Sequence, residues 1–234
     1  VKTSDFNWGL SFNFTKNNNE ILSLPGDANE MIITGAYDVE MYAVVGKPLG
    51  VLRAPDYLRD DEGHVIVNSS NGIPFGTTEY TEIGNVQPDY LLGVMNTLGY
   101  KNFELGFTID VRKGGMMYSG TADLHYFPGN ATQTTFNERQ PFIIPNSVKA
   151  NPNYDETDPN SPEYIENNVP VDMTNINAYY YHSSNPVANR DRVIPKDYIK
   201  LRDVILSYTL PKNILANTFI QSAKINLSGR NLLL

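Results

Sequence analysis

A regular alternation of apolar and polar residues near the start of the chain is the strongest constraint on its fold. From Asp5 to Thr15, every even position holds an apolar residue and every odd position a polar or small one. A period of two residues predicts a β-strand with one apolar and one polar face. The 11 residues of this segment match a tilted bilayer-crossing strand of about 9–11 residues, whereas strands of soluble proteins more often have about 5–6.

Five further segments show the same alternation, so the chain is predicted to contain about six long strands. The clearest has apolar residues at positions 103, 105, 107, 109 and 111, with polar or small residues between them. It follows the preceding strand after the short turn Tyr100–Asn102, which predicts a hairpin. The predicted strands cover about residues 5–15, 36–46, 88–99, 102–112, 198–210 and 223–232.

The lengths of the connections indicate which architecture these strands build. Long connections at about 54–87 and 113–195 fall on one side of the predicted strands. Short connections fall on the other side, together with residues 16–35, which are longer than a short turn. Short turns on one side and long loops on the other are typical of an outer-membrane β-barrel. Compact soluble domains rarely contain such long loops. The predicted fold class is therefore all-β, an antiparallel portion of a transmembrane β-barrel with long extracellular loops.

The alternation also predicts which residues meet lipid. In a transmembrane barrel, the apolar row of each strand faces the bilayer and the polar row faces the lumen. The predicted lumen-facing residues are Glu104, Thr108 and Asp110. The predicted lipid-facing residues are Phe6, Trp8, Phe12, Phe14, Phe103, Leu105, Phe107 and Ile109.

The composition argues against several classes of function. The 18 basic and 26 acidic residues leave a net charge of -8, which disfavours a nucleic-acid partner. Because the chain has no cysteine, it offers no thiolate metal site and no cysteine nucleophile. The three histidines lie far apart, and the spacings typical of zinc and catalytic motifs do not occur. We therefore expect no enzyme activity, no catalytic residues and no cofactor.

A tyrosine cluster in the second long connection is the candidate contact for a ligand or a partner. It consists of Tyr179, Tyr180, Tyr181 and His182. Tyrosine combines an apolar ring with a hydroxyl, so these side chains could stack on sugar rings or pack on a partner. Packing within the loop itself is the alternative.

An acidic stretch in the same connection is the other candidate. Asp155, Asp158, Asn160 and Glu163 offer oxygen ligands for calcium, but the stretch lacks the glycine and the spacing of an EF-hand loop. A solvated acidic loop is favoured, and no metal site is expected.

Several strings resemble one protein family over essentially the whole chain. The most specific string is Ile83–Tyr90, which reads Ile-Gly-Asn-Val-Gln-Pro-Asp-Tyr. The other matching strings are Asp5–Phe14, Asn19–Leu24, Gly46–Gly50, Tyr100–Phe103, Arg112–Gly115, Tyr198–Val204, Leu206–Pro211 and Gly229–Leu232. On these strings the chain resembles the SusC/RagA-like TonB-dependent outer-membrane transporters.

The resemblance implies a late, C-terminal part of a barrel of about 22 strands, with the plug domain absent from this chain. It implies an active importer of oligosaccharides or peptides in the outer membrane of a Gram-negative bacterium. The implied partners are a SusD-like surface lipoprotein, outer-membrane lipid, and TonB through an N-terminal part that this chain lacks. The alternation alone also fits a soluble all-β carbohydrate-binding sandwich, which would bury the aromatic face.

Overall fold

The computed structural model describes residues 1–181, 183–216 and 218–233, which divide into two compact units. Unit 1 comprises Val1–Asn18, Pro88–Gly115 and Pro195–Leu234, and unit 2 comprises Asn19–Gln87 and Met116–Ile194. Each unit is therefore built from segments that lie far apart in the sequence.

The described residues form short helices and many strands. The strands are β1 (Phe6–Thr15), β2 (Glu30–Ala36), β3 (Val39–Val44), β4 (Val51–Ala54), β5 (Val65–Val67), β6 (Thr81–Asn85), β7 (Tyr90–Tyr100), β8 (Phe103–Lys113), β9 (Met116–Tyr118), β10 (Ser147–Ala150), β11 (Tyr164–Glu166), β12 (Val193–Pro195), β13 (Tyr198–Thr209) and β14 (Lys224–Leu233). The α-helices are α1 (Gly120–Tyr126), α2 (Ile176–Tyr180) and α3 (Lys212–Leu215), and 3-10 turns cover Pro25–Asp27, Thr132–Arg139 and Pro186–Arg192.

Unit 1 contains one sheet of five long strands in the order β1-β7-β8-β13-β14. All neighbouring pairs are antiparallel. β7 and β8 form a hairpin in which Tyr100 pairs with Phe103 across a two-residue turn. Lys101 in this turn has a φ of 52°, the left-handed conformation that tight hairpin turns require.

The register places both long connections at the same end of this sheet. Leu91 lies opposite both Thr15 and Arg112, and Arg112 lies opposite Tyr198. The end of β1, the start of β7, the end of β8 and the start of β13 therefore meet at one end. The hairpin turn between β7 and β8 lies at the other end.

The apolar rows of all five strands lie on one face of the sheet. One row across the sheet reads Trp8, Leu98, Leu105, Leu206 and Leu227, each directly opposite the next. Unit 1 does not bury this face, because Trp8 is 41% and Leu227 is 72% exposed. A contiguous apolar surface of this kind marks a region that contacts lipid or another protein surface.

A bulge in β13 preserves the two faces where the sequence interrupts the alternation. Arg202 and Asp203 are consecutive polar residues between Leu201 and Val204. The pairing of β13 with both neighbouring strands shifts between Leu201 and Asp203. Because a bulge inserts one extra residue, Leu201 and Val204 both remain on the apolar face.

Unit 2 has smaller sheets and an apolar core of its own. Its four-stranded sheet has the order β2-β3-β4-β6, and its three-stranded sheet has the order β11-β10-β5. The strands β9 and β12 form a two-stranded ladder. Val39, Leu52 and Ala54 are buried together, with Met41 and Ile83 packed against them.

The prediction that residues 36–46 form a sixth strand of the long sheet is wrong. Tyr37 and Asp38 have φ values of 52° and 61° and form the two-residue turn that joins β2 to β3, where Ala36 pairs with Val39. Val39 and Ala43 are each 3% exposed, so the alternation in β3 reflects burial inside unit 2. The predicted loop 54–87 is therefore only part of one connection that runs from β1 to β7.

The all-β prediction is confirmed. The longest α-helix, α1, has 7 residues, and the strands of unit 1 have 10 to 12. Across the described ranges, none of the helices has the length and apolar content needed to cross a membrane.

Candidate functional site

Six aromatic side chains of unit 2 converge on one cavity, which we call the tyrosine cavity. Its volume is about 440 Å³. The rings in its wall are those of Tyr57, Tyr126, Phe136, Phe142, Tyr179 and Tyr180. A mainly apolar enclosure of this size is typical of sites for small molecules.

Five of these rings contact one another in series. The ring centroids are 5.1 Å apart for Phe136 and Phe142, 5.4 Å for Phe142 and Tyr179, and 5.1 Å for Tyr179 and Tyr180. These three pairs are edge-to-face, a geometry that aromatic pairs prefer. Tyr126 follows at 6.0 Å from Tyr180. The cavity therefore has a continuous aromatic wall.

A buried arginine supports this wall. Arg192 is 1% exposed, and its Nε lies 2.9 Å from Oδ1 of Asp123. Its guanidinium also lies 4.9 Å from the ring centroid of Tyr126 and donates to the carbonyl of Tyr180. Because Asp123 is also buried, the two charges compensate each other away from water. Arg192 thereby connects α1 to the end of α2.

A side-chain cap begins α1, and a side-chain turn precedes α2. Ser119 caps α1, because its hydroxyl oxygen accepts a hydrogen bond from the N–H of Ala122 at 3.2 Å. This cap starts the turn that contains Asp123. Before α2, Oδ1 of Asp172 accepts a hydrogen bond from the N–H of Thr174 at 2.8 Å. Such side-chain turns fix the backbone where a helix begins.

Burial raises the pKa of three cavity tyrosines, which are Tyr180, Tyr179 and Tyr57. Desolvation raises the pKa of Tyr179 well above its ordinary value, and Tyr57, Tyr180 and Asp191 add to the effect. Desolvation also raises the pKa of Tyr57, followed by the charge of Asp191. These hydroxyls are therefore neutral at physiological pH, where they can donate or accept hydrogen bonds.

The predicted tyrosine cluster is divided by the structure. Tyr179 and Tyr180 line the cavity. Tyr181 packs against Phe127 instead, with ring centroids 5.7 Å apart. His182 lies outside the described residues. A contact with a ligand or partner remains a prediction for all four.

Four rings of the cavity were not predicted from the sequence. Tyr57, Phe136 and Phe142 are single aromatic residues and Tyr126 is followed by Phe127, all in segments without periodicity. The sequence signal that could have pointed to them is the abundance of aromatic residues in the two long connections. That abundance does not tell which aromatic residues come together in the fold.

The residues predicted to face lipid and lumen lie on opposite faces of the unit 1 sheet. Their register puts Glu104, Thr108 and Asp110 on the polar face. Two ion pairs occupy this face, with Arg202 at 2.7 Å from Asp110 and Lys224 at 2.9 Å from Glu104. Which face meets lipid remains a prediction.

The acidic stretch forms hydrogen-bonded turns. Oδ1 of Asp155 accepts hydrogen bonds from the hydroxyl and the N–H of Thr157, at 2.7 and 2.9 Å, and these bonds lower the pKa of Asp155. Oδ1 of Asp158 accepts from the N–H of Asn160 at 2.9 Å. In the part of the chain that the structure describes, no three His, Asp or Glu side chains are grouped to hold a metal ion.

Two curated relatives align with the whole of this chain. TonB-dependent receptor P3 of Formosa agariphila is 23% identical over 257 residues, and TonB-dependent receptor P26 of the same organism is 26% identical over 261 residues. The chain spans 23% of the length of each relative. No protein-family model matches the chain.

Solved structures share the fold. One described as the RagAB peptide transporter superimposes with a TM-score of 0.63 at 17% identity, over 100% of this chain and 24% of that one. Another, the RagAB peptide importer in the open-open state, gives 0.62 at 18% identity, over 99% of this chain and 23% of that one. By name, the relatives are receptors and the solved structures are transporters.

Proposed function

We propose that this chain is part of an outer-membrane importer. The reason is that the predicted resemblance to SusC/RagA-like TonB-dependent transporters is confirmed over part of their length. In this proposal the five-stranded sheet of unit 1 is part of the transmembrane barrel wall. The tyrosine cavity of unit 2 contacts the substrate. The long connections that form unit 2 lie on the extracellular side.

The observation that carries the proposal is the pair of unlike faces on the unit 1 sheet. One face is an open apolar surface across five strands, and the other holds charged pairs. A barrel wall has this character, with lipid on one side and a polar lumen on the other. A soluble carbohydrate-binding sandwich would bury the apolar face against a second sheet, so the exposed face counts against it.

The substrate class we propose is oligosaccharides or peptides. Aromatic walls suit both, because rings stack on the apolar faces of sugars and pack against peptide side chains. The similar RagAB structure is that of a peptide transporter. By analogy we propose a SusD-like surface lipoprotein as partner, and energy from TonB through segments outside these 234 residues.

Import measurements on the intact transporter in its own cells test this function. The probes are fluorescently labelled tripeptides and trisaccharides, and the variant is Tyr180→Ala in the cavity wall. Import of any probe that depends on the transporter should fall about tenfold, since several ring contacts are lost. Tyr154→Ala, which removes an exposed tyrosine outside the cavity, is the matched control.

The proposal fails if no probe depends on the transporter. It also fails if Tyr180→Ala imports every probe as well as Tyr154→Ala at equal amounts of protein in the membrane.

A further inference from the structure

We propose that the tyrosine cavity selects a positively charged group on the substrate, a protonated amine or a guanidinium. This inference rests on the proposed function, because it names the chemistry of the substrate that the cavity takes. The carrier of the cation could be a basic peptide or an amino-sugar oligosaccharide, and the charged group is common to both.

The first observation is a carboxylate without an ion-pair partner. Asp191 lines the cavity and is exposed to solvent. Among the described residues, its side chain has neither a hydrogen bond nor an ion pair. Although part of the side chain is exposed, desolvation raises the pKa of Asp191, and the nearby Arg192 and Arg190 lower it less. A cation in the cavity would stabilise the charged form.

The second observation is that the nearby arginines are already paired. Arg192 lies 2.9 Å from Asp123. Arg190 lies 3.2 Å from Asp56 and donates to the hydroxyl of Thr81 at 2.7 Å. Both guanidinium groups therefore have another carboxylate as their ion-pair partner. An anionic group placed beside Asp191 would meet its charge unfavourably.

The third observation is the arrangement of rings near this carboxylate. Asp191 lines the same cavity as Tyr57 and Tyr179, and its charge raises the pKa of both hydroxyls. Ring faces attract ammonium and guanidinium groups, most strongly where water is excluded. An unpaired carboxylate next to several aromatic rings is the combination that recognises an organic cation.

A buried amide in the wall adds a hydrogen-bond acceptor, which also favours a donor group on the substrate. Asn185 is 3% exposed, and its Nδ2 donates to the carbonyl of Tyr179 at 2.8 Å, which fixes the orientation of the amide. Its Oδ1 has no hydrogen-bond partner within the described part of the chain. A buried acceptor without a donor is unfavourable, so a donor group brought to this wall by a small shift of the side chain would satisfy it.

Calorimetric titration of the purified intact transporter tests the inference. The peptide arm compares trilysine with its fully side-chain-acetylated analogue. The sugar arm compares the glucosamine trimer with the N-acetylglucosamine trimer. At least one cationic probe should bind about tenfold more tightly than its neutral analogue, because one ion pair and one cation–π contact are added. The arm that shows the preference identifies the carrier.

The matched variants are Asp191→Asn in the cavity and Glu156→Gln, which makes the same charge change on an exposed loop residue. Asp191→Asn should abolish the preference for the cation while keeping the affinity for the neutral analogue, which shows that the cavity is intact. Glu156→Gln should keep the preference. Equal binding of charged and neutral probes in both arms, or a preference that survives Asp191→Asn, would overturn the inference. If Tyr180→Ala still impairs import in that case, the proposed function stands without it.

Discussion

At the scale of single residues, the buried pair of Arg192 and Asp123 should be critical for unit 2. Removing one partner of a buried ion pair leaves an uncompensated charge and typically costs about 3–5 kcal/mol. We expect Arg192→Met to speed hydrogen exchange in α1 by local unfolding. Adding Asp123→Leu to this variant should recover much of the lost stability, because no unpaired buried charge then remains. Unchanged exchange in the single variant, or a double variant less stable than the single one, would contradict this role.

A second prediction at this scale concerns a polar side chain on the apolar face of unit 1. Asn96 lies opposite Leu10 and Phe107, and its Oδ1 accepts a hydrogen bond from Nε1 of Trp8 at 3.2 Å. Trp8→Phe should lower the thermal stability of the barrel, because it removes this donor at a cost of about 1–3 kcal/mol.

Heat-modifiable gel migration measures this stability. In a protein that already carries Asn96→Leu, Trp8→Phe should have little further effect. An equal loss in both backgrounds would mean that the indole contributes only by packing.

At the scale of elements, β8 tests which face of the sheet meets lipid. Phe107 lies opposite Asn96 and Val204, whereas Thr108 lies opposite Met95 and Asp203. An arginine at a lipid-facing position in mid-bilayer costs about 2–4 kcal/mol. We therefore expect Phe107→Arg to reduce barrel assembly more than Thr108→Arg. Equal loss of assembled protein from the two variants would refute the assignment of faces.

At the scale of the whole molecule, the positions of the connections predict which segments reach the cell surface. Asn160 lies in the connection between β8 and β13, and Lys101 lies in the turn between β7 and β8. Both residues are exposed in the chain, so a difference in labelling would report the side of the membrane. A cysteine at Asn160 should react with a membrane-impermeant maleimide on intact cells, and a cysteine at Lys101 should not.

These 234 residues contain no natural cysteine, so within them each label reports one position. Labelling at Lys101 but not at Asn160 would reverse the proposed orientation.

The amino-acid sequence by itself determined the long strands of unit 1. The alternation in β1 and β8 is a local property, because a strand places neighbouring side chains on opposite faces whatever it pairs with. The same local rule predicted a strand in 36–46, but not its sheet. Its hairpin partner β2 and its burial beside Leu52 depend on contacts that a period of two residues does not encode.

Only the tertiary structure decided the tyrosine cavity. Its rings come from positions as far apart as Tyr57 and Tyr180, and Asp191 completes it from a third segment. Tyr57 and Asp191 do not stand out from their neighbours in the chain by period or motif. The sequence cluster at 179–182 contributed Tyr179 and Tyr180 to the cavity, while Tyr181 packs elsewhere. A strand is specified by residues next to one another in the chain, whereas a cavity is specified by how distant segments pack. Hydrophobic burial and paired charges such as Arg192 and Asp123 together decide that packing.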